Sequence, residues 1–300
     1  MKEVFFAAGC FWGAQHFFAG VDGVKEAVAG YANGKGENPS YEQVYTDTTG
    51  FAETVRVSYD PERVSLKELT ELYFTIIDPL SLNRQGGDIG TRYRTGVYYT
   101  DQAERATIEA VFQAEEKRLG EALAVELEPL KSFYLAEERH QDYLDKNPGG
   151  YCHVPLKTFR YLRLYQDLKL VLEGEPDPIA RMANTAAMVH ERMRFFWTGF
   201  YRVQGNQLVL GPFQGPEACF RIGYGKGVCG TAWKEGRTIV VPDVEQFPGH
   251  IACSSLSRSE IVVPVRQAGE ITAVLDIDSK ELATFDATDA LWLEKIAAIL

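Results

Sequence analysis

Residues 4–19 read VFFAAGCFWGAQHFFA, and this stretch changes from one kind of secondary structure to another around a cysteine. The apolar run Val4–Ala8 predicts a short buried strand, which Gly9 interrupts. The run Phe11–Ala19 predicts a helix, so Cys10 falls at the helix entrance. Because the amino end of a helix carries partial positive charge, this position favours the thiolate of Cys10 over the thiol. The stretch therefore predicts a nucleophilic cysteine at a strand-to-helix turn.

The first half of the chain contains further regular structure and a long polar loop. Alternating apolar residues predict a strand over Glu53–Tyr59. Ser65 and Glu68 form the sequence pattern of a capping box, and they predict a helix that continues to Pro79. The polar segment Pro79–Thr95 is long for a loop inside a compact domain, and such loops are usually functional.

Composition limits the classes of protein that the chain can represent. At 300 residues it is long enough for two cores, and its net charge of -11 argues against nucleic acid as a partner. The sequence has no apolar run long enough to span a bilayer, and Val4–Ala8 is too short for a signal peptide. We therefore expect a cytoplasmic protein that binds no membrane.

The cysteines are too few and too dispersed for a secreted disulfide scaffold or a structural zinc site. They are Cys10, Cys152, Cys219, Cys229 and Cys253. Thiol redox chemistry is the better interpretation, and we expect no bound metal. The residue pattern changes near Phe159, which predicts one domain over residues 1–159 and a second over residues 160–300. In the second domain, helices flank hairpins, which predicts an α+β module with an antiparallel sheet.

Five ordered motifs resemble the methionine sulfoxide reductase A family over residues 2 to 159. They are Gly9-Cys10-Phe11-Trp12-Gly13, Ala29-Gly30-Tyr31, Gly50-Phe51-Ala52-Glu53, Arg84-Gln85-Gly86-Gly87-Asp88-Ile89-Gly90-Thr91 with Tyr93-Arg94, and Lys146-Asn147-Pro148 with Gly150-Tyr151-Cys152. The resemblance implies a ferredoxin-like two-layer α+β domain that reduces the S-epimer of methionine sulfoxide, peptide-bound or free.

The resemblance also implies a role for each cysteine of this half. Cys10 attacks the sulfoxide sulfur and becomes a sulfenic acid, and Cys152 resolves that acid as a disulfide. Glu53 shares its strand face with apolar residues, so burial should raise its pKa and keep a proton for the sulfoxide oxygen. The family commonly has His where Phe51 stands, so the residues that surround and position Glu53 differ here. No cysteine follows Cys152 inside the domain, which favours a direct bridge to Cys10.

The remaining predicted site residues of this domain bind the substrate. Phe11 and Trp12 predict an apolar cup for a methyl thioether. By resemblance, Tyr31 and Tyr93 donate hydrogen bonds to the sulfoxide oxygen, and Asp88 positions the substrate backbone or the loop. Ordinary packing with a satisfied hydroxyl is the alternative interpretation of both tyrosines.

The second half resembles free methionine-(R)-sulfoxide reductases of the GAF fold. The motifs are Tyr165-Gln166-Asp167-Leu168, Gly174-Glu175, Ala183-Asn184-Thr185-Ala186-Ala187, Trp197-Thr198-Gly199-Phe200-Tyr201, Gly225-Lys226-Gly227-Val228-Cys229-Gly230 and Leu275-Asp276-Ile277-Asp278-Ser279. The resemblance implies that Cys253 is the nucleophile, that Cys219 resolves it and that Cys229 is auxiliary, although the order of the three stays open. On spacing alone, they could equally be unrelated buried thiols.

Carboxylates and aromatic rings complete the second predicted site. Asp276 and Asp278 point to one face of a strand, and the resemblance brings Glu260 beside them. Three clustered carboxylates repel one another, so they should retain a proton or bind a cation such as the ammonium of a free amino acid. Trp197 and Tyr201 share a strand face and, by resemblance, form walls around the substrate side chain.

Together these features predict a bifunctional repair enzyme for oxidative stress that covers both sulfoxide epimers. We expect no bound cofactor, and we expect thioredoxin, with NADPH and thioredoxin reductase, as the external reductant. Oxidised proteins and free methionine sulfoxide would be its substrates. The alternatives are a reductase with a non-catalytic GAF module that senses a ligand or redox state, because many GAF modules only bind small molecules, and a thiol peroxidase.

Overall fold

The computed structural model describes residues 1–251 and 254–300, and the chain forms two compact units, Met1–Phe159 and Arg160–Leu300. The division falls inside one continuous helix, Leu156–Leu172. Among the described residues, no helix has both the length and the apolar character needed to cross a bilayer.

The first unit is a mixed α+β unit built on one six-stranded sheet. Its elements are β1 (Lys2–Ala8), α1 (Phe11–Ala19), β2 (Val24–Ala32), α2 (Tyr41–Tyr45), β3 (Ala52–Tyr59), α3 (Leu66–Tyr73), β4 (Arg84–Gln85), β5 (Asp88–Ile89), β6 (Thr95–Tyr99), α4 (Gln102–Leu119), β7 (Val125–Pro129), β8 (Phe133–Leu135), α5 (Tyr143–Lys146) and only the first residues of α6 (Leu156–Leu172), most of which belongs to the second unit. The strand order is β7-β6-β1-β3-β2-β8, with β6 and β7 parallel and the other neighbours antiparallel.

The centre of this sheet positions the strand-to-helix turn. β1 is paired on both edges, and its Phe6 ring stacks on Phe18 of α1 at 4.5 Å and on Tyr73 of α3 at 5.1 Å. Gly9 has a φ of 79°, and a Cβ atom there would lie 2.6 Å from the Cβ of Gln85. Both the left-handed backbone and this close approach require glycine. The predicted strand, the break at Gly9 and the helix after it are confirmed.

The helix after Ser65 forms, but the prediction that it continues to Pro79 is wrong. The Ser65 hydroxyl accepts from the amide of Glu68 at 3.1 Å, as the capping pattern predicts, and α3 ends at Tyr73. The amides of Thr75 and Ile76 donate to carbonyls three residues back, so the chain continues in tight turns.

The second unit is an α+β unit with a fully antiparallel sheet. Its elements are α7 (Pro178–Met193), β9 (Trp197–Gln204), β10 (Gln207–Gln214), β11 (Arg221–Gly223), α8 (Gly227–Glu235), β12 (Ile239–Val241), β13 (Ser259–Gln267), β14 (Glu270–Ser279) and α9 (Ala287–Ala298). The strand order is β11-β10-β9-β14-β13-β12. The predicted α+β fold class is confirmed for both units. Helix α8, which begins within the motif Gly225-Lys226-Gly227-Val228-Cys229-Gly230, was not predicted.

Candidate active sites

Cys10 is the N-cap residue of α1 and is 6% exposed. Burial, and next the neighbouring Glu53 carboxyl, raise the pKa of the Cys10 thiol well above its usual range. A hydrogen bond from the backbone of Trp12 opposes this shift but does not reverse it. Burial and the Glu53 carboxyl therefore act against the thiolate that the helix end was predicted to favour.

Glu53 lies on β3 directly beside this thiol, and it is 1% exposed. Its Oε2 accepts from the backbone N–H of Phe11 at 3.0 Å, and its carboxyl also accepts from the Cys10 thiol. Burial raises the pKa of Glu53 to about 8, although the Phe11 N–H and the Arg92 guanidinium act in the opposite direction. Glu53 therefore keeps its proton near neutral pH, and it can donate this proton to a molecule bound beside the Cys10 thiol.

Cys152 brings a second thiol to the same helix end. A Cβ atom on Gly13 would lie 2.8 Å from the Cys152 Sγ, so this sulfur rests against the first turn of α1. Cys152 is a free, partly buried thiol, and burial raises its pKa. Asp88, which accepts from the Tyr151 hydroxyl at 3.0 Å, adds to the rise in pKa at both Cys10 and Cys152. The structure thus brings Asp88 and the two cysteines together.

The predicted aromatic cup continues into a larger aromatic cluster. The Phe11 ring is buried, and its centroid lies 5.4 Å from that of His140. Trp12 is partly exposed, stacks on Tyr143 at 3.7 Å and donates from Nε1 to His140 Nδ1 at 3.3 Å. The two residues that follow Cys10 therefore belong to a cluster of rings, which suits an apolar thioether.

The two predicted tyrosine donors have protein partners in this structure. The Tyr31 hydroxyl donates to Glu137 Oε2 at 2.8 Å. The Tyr93 side chain hydrogen bonds with Arg92, whose guanidinium also lies 4.4 Å from the centroid of the Tyr93 ring. Glu53 contributes to the raised pKa of both tyrosines, so both lie near the proposed acid.

Sequence analysis missed three residues that organise this site: Arg92, Glu137 and His140. Arg92 is 7% exposed and its Nη1 lies 2.6 Å from Asp47 Oδ2. An arginine inside the polar loop predicted to be functional was an available signal for it. Glu137 and His140 carry no comparable local signal, because their partners lie about 100 or more positions away along the chain.

The second unit contains a buried cluster of one thiol and three carboxyls. Glu260 of β13 pairs with Asp278 of β14, and Asp276 lies two positions along the same strand. Cys229 comes from α8, and its sulfur lies within 4.8 Å of ligand oxygens of Glu260 and Asp276. Burial and mutual repulsion raise the pKa of Glu260 and Asp276, and burial raises that of Asp278 to about 6. Retained protons relieve the repulsion, and the spacing would also suit a cation.

The carboxyl cluster and two aromatic residues, Trp197 and Tyr201, line one pocket. The Trp197 and Tyr201 rings stack at 6.1 Å on β9, and the Trp197 Nε1 donates to the carbonyl of Pro216 at 3.0 Å. Cys219 is disulfide-bonded, whereas Cys229 is a free thiol. The nucleophile predicted at Cys253 lies outside the described residues.

Comparisons with known proteins find a separate family for each half of the chain. Residues 2–168 match the family described as "Peptide methionine sulfoxide reductase", and residues 179–300 match "GAF domain". The peptide methionine sulfoxide reductase MsrA of Clostridium acetobutylicum is 48% identical over 160 residues, which cover 53% of this chain and 99% of that protein.

Solved structures resemble each half separately. The crystal structure of Mxr1 from Saccharomyces cerevisiae in reduced form is 39% identical, has a TM-score of 0.50, and covers 52% of this chain and 91% of that one. The structure of free methionine-R-sulfoxide reductase from Neisseria meningitidis with its substrate is 53% identical and has a TM-score of 0.46. The match covers 46% of this chain and 84% of that one.

Proposed function

The chain belongs to the peptide methionine sulfoxide reductase family and carries a GAF domain after that region, and we propose that its first unit reduces methionine-(S)-sulfoxide through Cys10. Peptide-bound and free sulfoxide are both substrates of this unit. The observation that carries the proposal is the contact between the Cys10 thiol and the buried carboxyl of Glu53, whose pKa of about 8 keeps it protonated. The enzyme acts in the cytoplasm as part of protein repair.

The first chemical step transfers oxygen from the substrate to Cys10. The Cys10 sulfur attacks the sulfoxide sulfur, Glu53 gives its proton to the sulfoxide oxygen, and the thiol proton passes to the Glu53 carboxylate. The S–S bond formed by this attack and the substrate S–O bond then both break, and the OH group ends on Cys10. Methionine is released as the thioether, reduced by two electrons, and Cys10 becomes a sulfenic acid, oxidised by two electrons.

The second step restores the enzyme with external electrons. The Cys152 thiol attacks the sulfenic acid sulfur, water leaves, and a Cys10–Cys152 disulfide forms. Thioredoxin, itself reduced by NADPH through thioredoxin reductase, then exchanges its dithiol with this disulfide. The position of Cys152 Sγ against the first turn of α1 supports direct attack without an intermediate cysteine.

We further propose that the GAF domain reduces free methionine-(R)-sulfoxide. The protonated carboxyl cluster supplies a proton for the sulfoxide oxygen, and Asp276 and Asp278 can also hold the ammonium of a free amino acid. Trp197 and Tyr201 enclose the thioether end. The proposal assigns the nucleophile to Cys253 and the resolving thiol to Cys219, with Cys229 as an auxiliary thiol beside Asp276.

A stereospecific assay of the full chain tests this division of labour. The purified protein, with thioredoxin, thioredoxin reductase and NADPH, is given the S- and R-epimers, each free and in a peptide. We expect turnover of both S-substrates and of the free R-epimer, and none of the peptide R-epimer. If the free R-epimer is not consumed, the GAF domain is a sensing module rather than an enzyme.

Substituting Gly13 should separate the two chemical steps. The new methyl group in Gly13→Ala would overlap the Cys152 sulfur, so this sulfur must leave its position against the first turn of α1. We expect methionine release in a single turnover within about twofold of the wild type and thioredoxin-supported turnover lower by about 100-fold. Stopped-flow assays and trapping of the sulfenic acid with dimedone measure the two steps.

Gly149→Ala is the matched control for this substitution. Gly149 precedes Cys152 in the chain, but a Cβ atom there would meet open space. It should leave both steps unchanged. Disulfide formation at the wild-type rate in Gly13→Ala would contradict the proposed position of Cys152.

A further inference from the structure

The disulfide of the second unit leaves Cys219 within reach of solvent. Cys219 is bonded as a disulfide and is partly exposed, and its neighbour Ala218 lines the pocket that contains Trp197 and the carboxyl cluster. Cys219 therefore lies at the border between this pocket and the surface. The structure describes the oxidised form of the site, which is the form that a reductant must meet.

Phe220 follows this cysteine, and its side chain projects into solvent. It is 81% exposed, the highest fraction among the exposed large apolar side chains in the part of the chain that the structure describes. Its backbone is nevertheless fixed. The Phe220 carbonyl accepts from the N–H of Leu210 at 3.1 Å, and β11 begins at the next residue, Arg221, which pairs with Val209 of β10. The paired backbone therefore holds an aromatic ring in water beside the disulfide.

Two further apolar side chains are exposed around the same pocket. Ile251 lines the pocket and is 38% exposed. Leu256 is 54% exposed and lies in the chain between Ser254 and Ser257, which both line the pocket. We call Phe220, Ile251 and Leu256 the apolar rim. Single exposed apolar residues are ordinary, but a group of them around one feature marks an interaction surface.

The chemistry of the disulfide indicates what covers the apolar rim. In thiol–disulfide exchange the attacking sulfur must meet a disulfide sulfur directly, so the rate depends on access. A protein that reduces this disulfide must therefore place its own surface against the residues beside Cys219. A stable dimer through the apolar rim would instead hide the disulfide from its reductant.

The charges beside Cys219 indicate how such a protein is held. Glu217 and Arg221 are both exposed, lie two positions to either side of Cys219 and carry opposite charges. They give no net charge that would steer a partner, so apolar contact must supply the affinity. Transient redox interfaces bury less than about 1,200 Å², and a few aromatic anchors carry most of their binding energy. Phe220 has the exposure and the position of such an anchor.

We propose that the apolar rim is the docking surface for a dithiol protein of the thioredoxin class that reduces the Cys219 disulfide, with Phe220 as the anchor. This inference rests on the proposed reductase activity of the GAF domain and on thioredoxin as its reductant.

Docking at the apolar rim leads to a balanced exchange. A thiolate of the docked protein attacks the Cys219 sulfur, a mixed disulfide forms, and the former partner sulfur of Cys219 leaves. The second thiol of the docked protein then attacks the mixed disulfide and releases Cys219. The docked protein is oxidised by two electrons and the disulfide of the GAF domain is reduced by two. The two protons of the docked dithiol end on the two released cysteines.

The test measures how fast thioredoxin and dithiothreitol each reduce the oxidised full chain. Free thiols are alkylated at set times, and mass spectrometry follows the peptide that carries Cys219. For Phe220→Ser we expect the second-order rate constant with thioredoxin to fall about tenfold. Dithiothreitol needs no docking surface, so it should act at the wild-type rate. Phe220→Leu should restore most of the thioredoxin rate, and Leu170→Ser, at a 63% exposed leucine of α6, should keep it.

A trapped complex provides a second measurement. A thioredoxin variant without its second cysteine should form a mixed disulfide with Cys219, and Phe220→Ser should slow its formation by the same factor. An unchanged thioredoxin rate in Phe220→Ser, an equal loss with both reductants, or a mixed disulfide at another cysteine would overturn the inference. So would a wild-type dimer that Phe220→Ser dissociates, since the apolar rim would then bind a second copy of the chain.

The same assay separates this inference from the proposed function. Suppose that thioredoxin reduces the wild-type disulfide faster than that of Phe220→Ser, as expected, but that the chain consumes no free methionine-(R)-sulfoxide with either reductant. The docking surface would then be supported, and the proposed activity of the GAF domain would be overturned.

Discussion

Cys10→Ser is expected to reduce turnover of peptide and free methionine-(S)-sulfoxide below detection while leaving turnover of free methionine-(R)-sulfoxide intact. A serine hydroxyl in this position cannot accept the oxygen to form a sulfenic acid, so the first step has no product. The buried setting of Cys10 should tolerate serine, because Glu53 can accept from the hydroxyl as it does from the thiol. Chiral chromatography of all four substrates measures the result.

Cys219→Ser is the reciprocal variant for this experiment. It should stop thioredoxin-supported reduction of the free R-epimer and leave the S-epimers unaffected, because Cys219 lies in the second unit. Loss of both activities in Cys10→Ser, with the protein still folded by circular dichroism, would mean that the two sites are not independent. A shared path for electrons between the cysteine pairs would then replace the model of separate sites.

Local sequence was sufficient to predict the turn that presents Cys10. An apolar run of strand length, a glycine and a second, longer run each act over a few residues, and the structure follows them. Such features depend on short-range periodicity and can be read without the tertiary fold. The alignment of Glu260 with Asp278 was expected from the family resemblance and not from local periodicity, and the hairpin of β13 and β14 has that register.

Features that depend on distant segments could not be predicted in this way. The raised pKa of Cys10 follows first from burial and next from Glu53, which lies 43 positions away along the chain. Glu137 reaches Tyr31 across 106 positions, which no spacing rule reveals. Helix α8 begins with glycines, which have low helix propensity, so packing on β13 and β14 rather than local preference forms it.

Glu53→Gln should lower the rate of S-sulfoxide reduction by about 100-fold to 10,000-fold, the usual contribution of a general acid. The amide can still accept from the Phe11 N–H but has no acidic proton for the sulfoxide oxygen. In the wild type, activity should fall as pH rises through about 8, because the Glu53 carboxyl then loses its proton. Single-turnover rates between pH 6 and 9.5 measure both effects. A Glu53→Gln variant with near wild-type rates would exclude Glu53 as the acid.

The same substitution should make the protein more stable, and increasingly so at high pH. The folded pKa of Glu53 is about 8 against an ordinary value of 4.5, so between these values the folded state binds a proton that the unfolded state releases. Glu53 therefore lowers the free energy of unfolding progressively as pH rises above 4.5. The loss reaches its full size above pH 8, with an upper bound of about 5 kcal/mol.

Glutamine has no such cost, so urea unfolding of the first unit should show a gain for Glu53→Gln that is larger at pH 9 than at pH 5, by about 4 kcal/mol at most. Glu62→Gln, a change at an exposed glutamate of the same unit, is the matched control. If Glu53→Gln unfolds with a higher free energy but reduces the sulfoxide more slowly, then the buried carboxyl serves the reaction and destabilises the fold. A pH-independent difference would instead mean that Glu53 titrates near its ordinary value and cannot hold the proton that the first step requires.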